Sequence, residues 1–333
     1  MKAPRFWDAG LDPKSREAAP LTRALLTPLA MLYARIVERK IVKTMAHRPG
    51  IPVICVGNIT TGGTGKTPIV KRVREHLVSK GLRAASLSRG YGGSLKGPLR
   101  VDPCVHGASE VGDEPLMLSA SGESWIGADR VAAADAMVAD GVEAIVMDDG
   151  HQNPSLEKTL SLVVIDIAAP FGNGHVIPKG PLREPASRGL ARADAIILMG
   201  DGTVPIEVNA SQRPVLRAKL VPTAPAPDGS LVGFAGVGRP EKVFDSLKAA
   251  GANLVDAVPF ADHHAFTPRD IAYLQDLAAK HGARLITTEK DYVRLPSETR
   301  ETVLTFPVHA VFDPSDALDA LLAPVLEFTP DAR

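Results

Sequence analysis

Two cysteines, Cys55 and Cys104, are all that 333 residues contain. That is too few for a disulfide framework and fits a reducing compartment, with both thiols structural. Excess charge is also missing: 38 Lys and Arg balance 38 Asp and Glu, for a formal net charge of zero. No global field therefore points to nucleic acid, and any acidic ligand must be held by local basic groups. Internal repeats and low-complexity tracts are absent. The stretch from Met1 to Pro20 is polar and proline-containing, without the charged start and apolar core of a cleavable signal peptide.

What is present describes a folded α/β protein. Apolar residues make up 45% and charged residues 23%, an ordinary balance for a chain that buries a core. The length is about twice that of a typical domain, so two domains are expected. Composition and period place an amino-terminal segment at 1–50, a larger unit at 51–220 and, at 221–333, a smaller α/β unit with hinge strands and a C-terminal tail, with the proline cluster Pro222, Pro225 and Pro227 at the boundary.

In the first segment Leu21, Leu25, Leu29, Leu32 and Ile36 recur at helical spacing, and Arg35, Arg39, Lys40, Lys43 and Arg48 gather towards its end. Its most apolar part, Ala24 to Ala34, contains Thr27 and Pro28 and falls well short of the ~20 residues of a membrane span. Two readings stand side by side: an amphipathic helix lying in the interface of an anionic membrane, or a helix packed on the protein's own core.

The stretch Val53 to Pro68 gives strand, glycine-rich loop and helix start in that order. Gly62, Gly63 and Gly65 let the backbone turn N–H groups inward around a polyphosphate, with Thr60, Thr61 and Thr64 in the same loop. Lys66 can reach the terminal phosphates, Thr67 can offer a hydroxyl to Mg²⁺, and the helix presents its positive end to the anion. The strict phosphate-loop pattern asks for glycine where this chain has Thr60.

Other strands deliver polar residues at their carboxyl ends. Ala144 to Met147 leads into Asp148 and Asp149, the placement of a metal-associated aspartate opposite a phosphate loop. A strand from Ala84 to Leu87 precedes Arg89 in a glycine-rich turn, a ready phosphate partner. Asp113 and Glu114 open an apolar run, either as a helix N-terminus favoured by the dipole or as base and metal-associated group. A long glycine- and proline-rich loop, Phe171 to Pro185, carries Arg183 and Glu184. In the smaller unit, Asp262-His263-His264 and Thr288-Glu289-Lys290-Asp291 follow strands, where ligands of open α/β sheets bind. Adjacent histidines seldom aim at one ion, so a zinc site is disfavoured there.

In this order the motifs resemble the tetraacyldisaccharide 4′-kinase family: Val56-Gly57-Asn58 and Gly62 to Pro68, Ser88-Arg89-Gly90-Tyr91-Gly92, Gly112-Asp113-Glu114-Pro115, Asp148-Asp149-Gly150, Gly180 to Pro185, Asp262-His263-His264 and Thr288 to Asp291. The resemblance implies a P-loop-containing three-layer α/β/α (Rossmann-like) domain, a second, smaller α/β domain across a hinge, and an N-terminal amphipathic helix. It implies ATP- and Mg²⁺-dependent transfer of the γ-phosphoryl group to the 4′-hydroxyl of a tetraacylated glucosamine disaccharide 1-phosphate, by a monomer on the cytoplasmic face of the bacterial inner membrane. It implies Asp113 as catalytic base with His263 as its partner and Lys66 on the phosphates. Glu114, Asp148 and Asp149 would be metal-associated with Thr67, and Arg89, Arg183 and Glu184 would contact substrate. The family has Phe and His flanking the Gln of Asp-Asp-Gly-x-Gln-x, whereas this chain has His151 and Asn153, so the role of that later histidine does not carry over.

Two other classes share part of the pattern. A P-loop switch ATPase of the partition or metallochaperone kind needs the glycine loop and the strand-end aspartate but no lipid acceptor. A cytosolic kinase or ligase acting on a small carboxylate is the third reading. Acceptor-dependent ATP turnover separates them.

Overall fold

The computed structural model describes residues 4–12 and 14–329. Among the described residues thirteen strands form two sheets: β1 (Val53–Gly57), β2 (Ala84–Ser88), β3 (Leu99–Arg100), β4 (Ser124–Ile126), β5 (Ala144–Asp148), β6 (Leu160–Asp166), β7 (Ala195–Met199), β8 (Val215–Pro222), β9 (Ser230–Ala235), β10 (Asn253–Pro259), β11 (Arg284–Thr288), β12 (Val303–Phe306) and β13 (Val308–Asp313). The larger sheet runs β13-β8-β7-β6-β1-β5-β2-β4-β3 and is parallel except at its edge strands β3 and β13. The smaller, all-parallel sheet runs β10-β9-β11-β12.

Every residue of β1, β2, β5, β6 and β7 is buried. This is why the strands read as near-continuous Val, Ile, Leu and Ala runs: helices cover both faces of a parallel sheet. On one face Ile54, Val56, Val146 and Leu162 pack under Val70, Val73 and Leu77 of the helix Lys66–Ser79 and under Leu318 and Leu322 of the helix Ala317–Leu326. On the other face Val53, Ile145 and Met147 meet Ala133, Ala134 and Met137 of the helix Arg130–Ala139. Each fully buried Leu, Ile or Val stabilises the fold by about 1.5–3 kcal/mol.

Chain order and sheet order together locate the crevice. From β1 the chain proceeds to β2 on one side, returns to β5 beside β1, and then crosses to β6 on the other side. The direction of winding therefore reverses at β1, and a ligand crevice opens outside its carboxyl end.

A buried Arg74 on the helix Lys66–Ser79 ties three elements to this point. Its guanidinium donates to Ser86 Oγ (3.2 Å), Glu123 O (2.9 Å), Leu118 O (2.9 Å) and Ser121 Oγ (2.7 Å). Burial lowers its pKa to about 10. The helix that starts at the phosphate loop is thereby fixed to the end of the helix Asp113–Ser119.

The 221–333 segment is divided. After β12, Pro307 leads directly into β13, which pairs antiparallel with β8, and the helix Ala317–Leu326 packs on the larger sheet. The expected carboxyl-terminal unit thus keeps only 230–306 in the smaller sheet, because an edge strand and a short apolar helix carry no signal of which sheet they join. The two crossings are bonded to each other, Thr223 N donating to Pro307 O at 3.0 Å.

The amino-terminal helix spans Pro20–Lys43. Leu21, Leu25, Leu29, Leu32 and Ile36 are 55% to 81% exposed, and Ala30 is the helix's one buried residue among those described. The reading of this helix as packed on the core is therefore corrected: its apolar stripe faces outward. Arg188 and Glu38 pair to hold it against the larger unit. Among the described residues no helix is long and apolar enough to cross a membrane.

Candidate active site

The phosphate loop follows β1 as its sequence requires. Gly62 and Gly65 take φ of +111° and +81°, and Gly65 caps the helix beginning at Lys66. Those are the conformations for which glycine is needed. Thr60, at the position where the strict motif has glycine, has no positive φ and forms a bridge to Leu182. Its extended backbone accepts a side chain, which explains the departure. The long loop is stitched to this segment: Thr61 N donates to Pro181 O (2.8 Å) and Arg183 N to Ile59 O (2.8 Å). Asn58 Nδ2 donates to Thr64 Oγ1 at 3.3 Å, bracing the loop from below.

Lys66 lies 3.6 Å from Asp149 Oδ1. Asp149 has φ of +54°, turning its carboxylate towards Arg183, whose Nη1 donates to Oδ1 and Oδ2 at 2.7 and 2.8 Å. Burial pushes the Asp149 pKa up, but Lys66 and Arg183 outweigh it and hold the carboxyl below its usual range.

Asp148 is the opposite case. It is buried, and neither carboxylate oxygen has a hydrogen-bond partner within the protein. Burial first, then the nearby charges of Glu114 and Asp149, raises its pKa to about 8. A buried carboxylate left without donors is costly unless a cation or a proton satisfies it. Among the described residues no three His, Cys, Asp or Glu side chains converge closely enough to hold a metal ion unaided. Mg²⁺, however, takes one or two carboxylates and completes its shell with water and substrate phosphates. The orphaned Asp148 oxygens beside the phosphate loop fit that requirement.

Across the crevice, residues of the smaller unit meet the first turn of the helix Asp113–Ser119. His263, in the left-handed region at φ +57°, approaches Asp113 Oδ2 through Nδ1 at 3.0 Å. Its Nε2 accepts from Lys290 Nζ at 3.3 Å. With Nε2 accepting, the ring proton sits on Nδ1 and is donated to Asp113. Lys290 also lies 3.3 Å from Glu114 Oε1 and 3.9 Å from Asp113 Oδ2. Arg294 donates to the same Asp113 oxygen through Nε at 2.9 Å and through Nη2. Burial pushes the Asp113 pKa up, yet the His263 hydrogen bond and the charges of Lys290 and Arg294 hold it well below the ordinary carboxylate range. Asp148 senses Glu114, Lys66 and Lys290 together, so the phosphate loop, the strand-end carboxylates and the Asp113 cluster share one crevice.

Other expected site residues are placed differently. Glu184 is buried, accepting from Arg192 Nη2 (2.6 Å) and Gln152 Nε2 (2.9 Å), an arrangement that braces the loop. Arg89 is exposed at the end of β2, close enough to Arg130 for their charges to interact. His151 is buried against Ser161 Oγ and Gly189 O, and burial lowers its pKa to about 4, leaving a neutral structural imidazole. Asn153 closes a turn onto Ser155. His264 stacks on Phe260 and bonds Asp270. Three residues were missed. Arg294 has a visible signal, lying one helical turn beyond Lys290. Arg130, at an alanine-rich helix start, and Gln152, which bonds Asn58 O at 2.8 Å, have little.

Comparison with known proteins places the chain among its relatives. A family profile described as Tetraacyldisaccharide-1-P 4′-kinase matches residues 22–327. A tetraacyldisaccharide 4′-kinase of Hyphomonas neptunium is 62% identical over 327 residues, 98% of each chain. One from Maricaulis maris is 50% identical, covering 100% of this chain and 98% of its own. Among solved structures, the "apo" form of LpxK from Aquifex aeolicus in complex with ATP superposes with a TM-score of 0.72 at 23% identity, covering 91% of this chain and 99% of that one.

Proposed function

The chain belongs to the tetraacyldisaccharide-1-P 4′-kinase family, and from that premise we propose how its residues divide the work of phosphorylating the disaccharide lipid. The switch-ATPase and small-carboxylate readings give way to a kinase. ATP is the donor, a reading supported by the ATP complex of the Aquifex aeolicus relative and by a phosphate loop at the winding reversal of the sheet. Residues Gly62 to Thr67 enclose the phosphates and Lys66 neutralises charge on the group in transit. Asp148, with Thr67, Asp149 and Glu114 nearby, would hold Mg²⁺, which when bound spreads the phosphate charge. Arg183 orients Asp149 and the long loop. Arg89, exposed beside the crevice, suits an anionic group of the acceptor.

The observation that carries the mechanism is the Asp113–His263 pair, assembled from both units at 3.0 Å. The 4′-oxygen attacks the γ-phosphorus, the bond from that phosphorus to the bridging oxygen breaks, and ADP leaves. The hydroxyl proton passes to Asp113, while His263 Nδ1–H keeps the carboxylate oriented. Phosphoryl transfer through a loose transition state releases the nucleophile's proton late, so a carboxylate of low proton affinity suffices. The exposed stripe of the helix Pro20–Lys43, flanked by Lys40 and Lys43, suits the interface of an anionic membrane. It would bring the monomer to its lipid acceptor on the cytoplasmic face of the inner membrane.

The test is mass analysis of the disaccharide lipid after incubation with ATP, Mg²⁺ and protein. One added phosphoryl group is expected, with Asp113→Asn lowering kcat by ~100-fold or more. ATP turnover equally fast without the lipid, or near-normal transfer by Asp113→Asn, overturns the assignment.

A further inference from the structure

Resting on the reading of Asp113 as proton acceptor, we infer that Arg294 is a positioning residue. It locks the catalytic carboxylate in one orientation by tying it to the frame of the smaller sheet.

Three bonding directions of one guanidinium carry this. Nε and Nη2 both donate to Asp113 Oδ2, and Nη1 donates to Gly236 O (2.9 Å) and Asp291 Oδ1 (2.8 Å). Gly236 follows β9, one of the two central strands of the smaller sheet. Asp291 is itself fixed, accepting from Thr288 Oγ1 at 2.7 Å. Arg294 and Asp291 are 6% and 0% exposed at the side chain, so this is a buried, planar clamp whose far end is anchored to the smaller sheet. Only its near end reaches the larger unit. A lysine offers a point charge and cannot span both anchors at once.

Asp113 has few other constraints from its own side: Oδ1 accepts from Glu114 N at 3.0 Å. The charged groups facing it are Glu114 on its own helix, His263 and Asp262 from the loop after β10, and Lys290, Asp291 and Arg294 from the segment after β11. Of the two cations, Lys290 stands at 3.9 Å and divides its charge among Asp113, Glu114 and Asp262. Arg294 is in direct contact. Two donors of Arg294 and one of His263 converge on Oδ2, and of these groups only Arg294 is also bonded to the backbone after β9, so it fixes where that oxygen points.

The experiment measures kcat and KM for ATP at about pH 8 for wild type, Arg294→Met, Arg294→Lys and Asp113→Asn, each checked for folding by circular dichroism. Arg294→Met removes every donor at this position and should lower kcat ~100-fold with little change in KM for ATP. Arg294→Lys should lower kcat ~10-fold, again with little change in KM for ATP, because charge is kept and orientation is lost. A loss that appears in KM for ATP with kcat unchanged in Arg294→Met, or wild-type kcat in Arg294→Lys, overturns the inference. Should Arg294→Met fail to fold, the kcat-against-KM result of Arg294→Lys decides alone. Near-normal turnover by Asp113→Asn instead overturns the underlying assignment of the base.

Discussion

Asp148→Asn should make the protein more stable in alkaline solution while abolishing its usefulness as a kinase. The native carboxyl is buried with no donor on either oxygen, and its pKa is raised from 3.8 to about 8. In the unfolded chain it titrates near the ordinary value. Between those two pH values the folded state holds the proton and the unfolded state does not, so stability falls as pH climbs, and the full cost is in place above about 8. Roughly four units at 1.36 kcal/mol each set a ceiling of ~5 kcal/mol. Water entering the crevice and adjustment of Lys66 reduce the net cost to ~1–3 kcal/mol. For a chain of this size that corresponds to a rise of ~1.5–4 °C in melting temperature for Asp148→Asn at pH 9, vanishing near pH 4. The assay is thermal unfolding in EDTA from pH 4 to 9, repeated with Mg²⁺ and ADP. Under the second condition wild type should recover stability and the variant should not. A difference between the two proteins that does not vary with pH, or a variant less stable at pH 9, refutes the reasoning.

Lys66→Met removes the charge nearest the transferring group and should lower kcat by ~100–1,000-fold in a transfer assay; a loss under tenfold would relieve Lys66 of that role. Replacing Leu25 and Leu32 by Glu places charges on the exposed stripe, and because each buried leucine is worth ~1.5–3 kcal/mol, co-sedimentation with anionic vesicles should drop at least tenfold. Undiminished sedimentation points to another surface. Glu184→Gln should destabilise the protein by ~1–3 kcal/mol in urea unfolding, since the buried carboxylate is paired with Arg192 and Gln152. Lost turnover at unchanged stability would make Glu184 a substrate contact instead.

What the sequence reveals here depends on how local each cause is. The phosphate loop is legible because strand, glycines, Lys66 and Thr67 are contiguous and each acts through its own backbone or reach. The helical period of Leu21 to Ile36 is equally legible, but whether the stripe meets core or solvent depends on the neighbours available, and the structure leaves it outward. Glu184 shows the limit more sharply: a carboxylate in a motif looks the same whether it faces substrate or, as here, is itself buried against a partly exposed arginine. The return of β13 to the larger sheet is set by pairing with β8, about 90 residues away, and no local feature marks it. Arg294 is 181 residues from Asp113, so its role exists only once the two units meet.

How firmly they meet follows from the pairs that join them. Arg294 to Asp113, Lys290 to Glu114, Lys71 to Glu289, and Lys242 and Arg239 to Asp166 all cross between the units. Only the first is buried at both ends; the others are partly exposed, and such pairs contribute ~0–1 kcal/mol each. The covalent link consists of two short crossings bonded to one another, which restrain the direction of opening more than its extent. The seating is thus held by a few kcal/mol of screened charge, with one buried clamp at its centre.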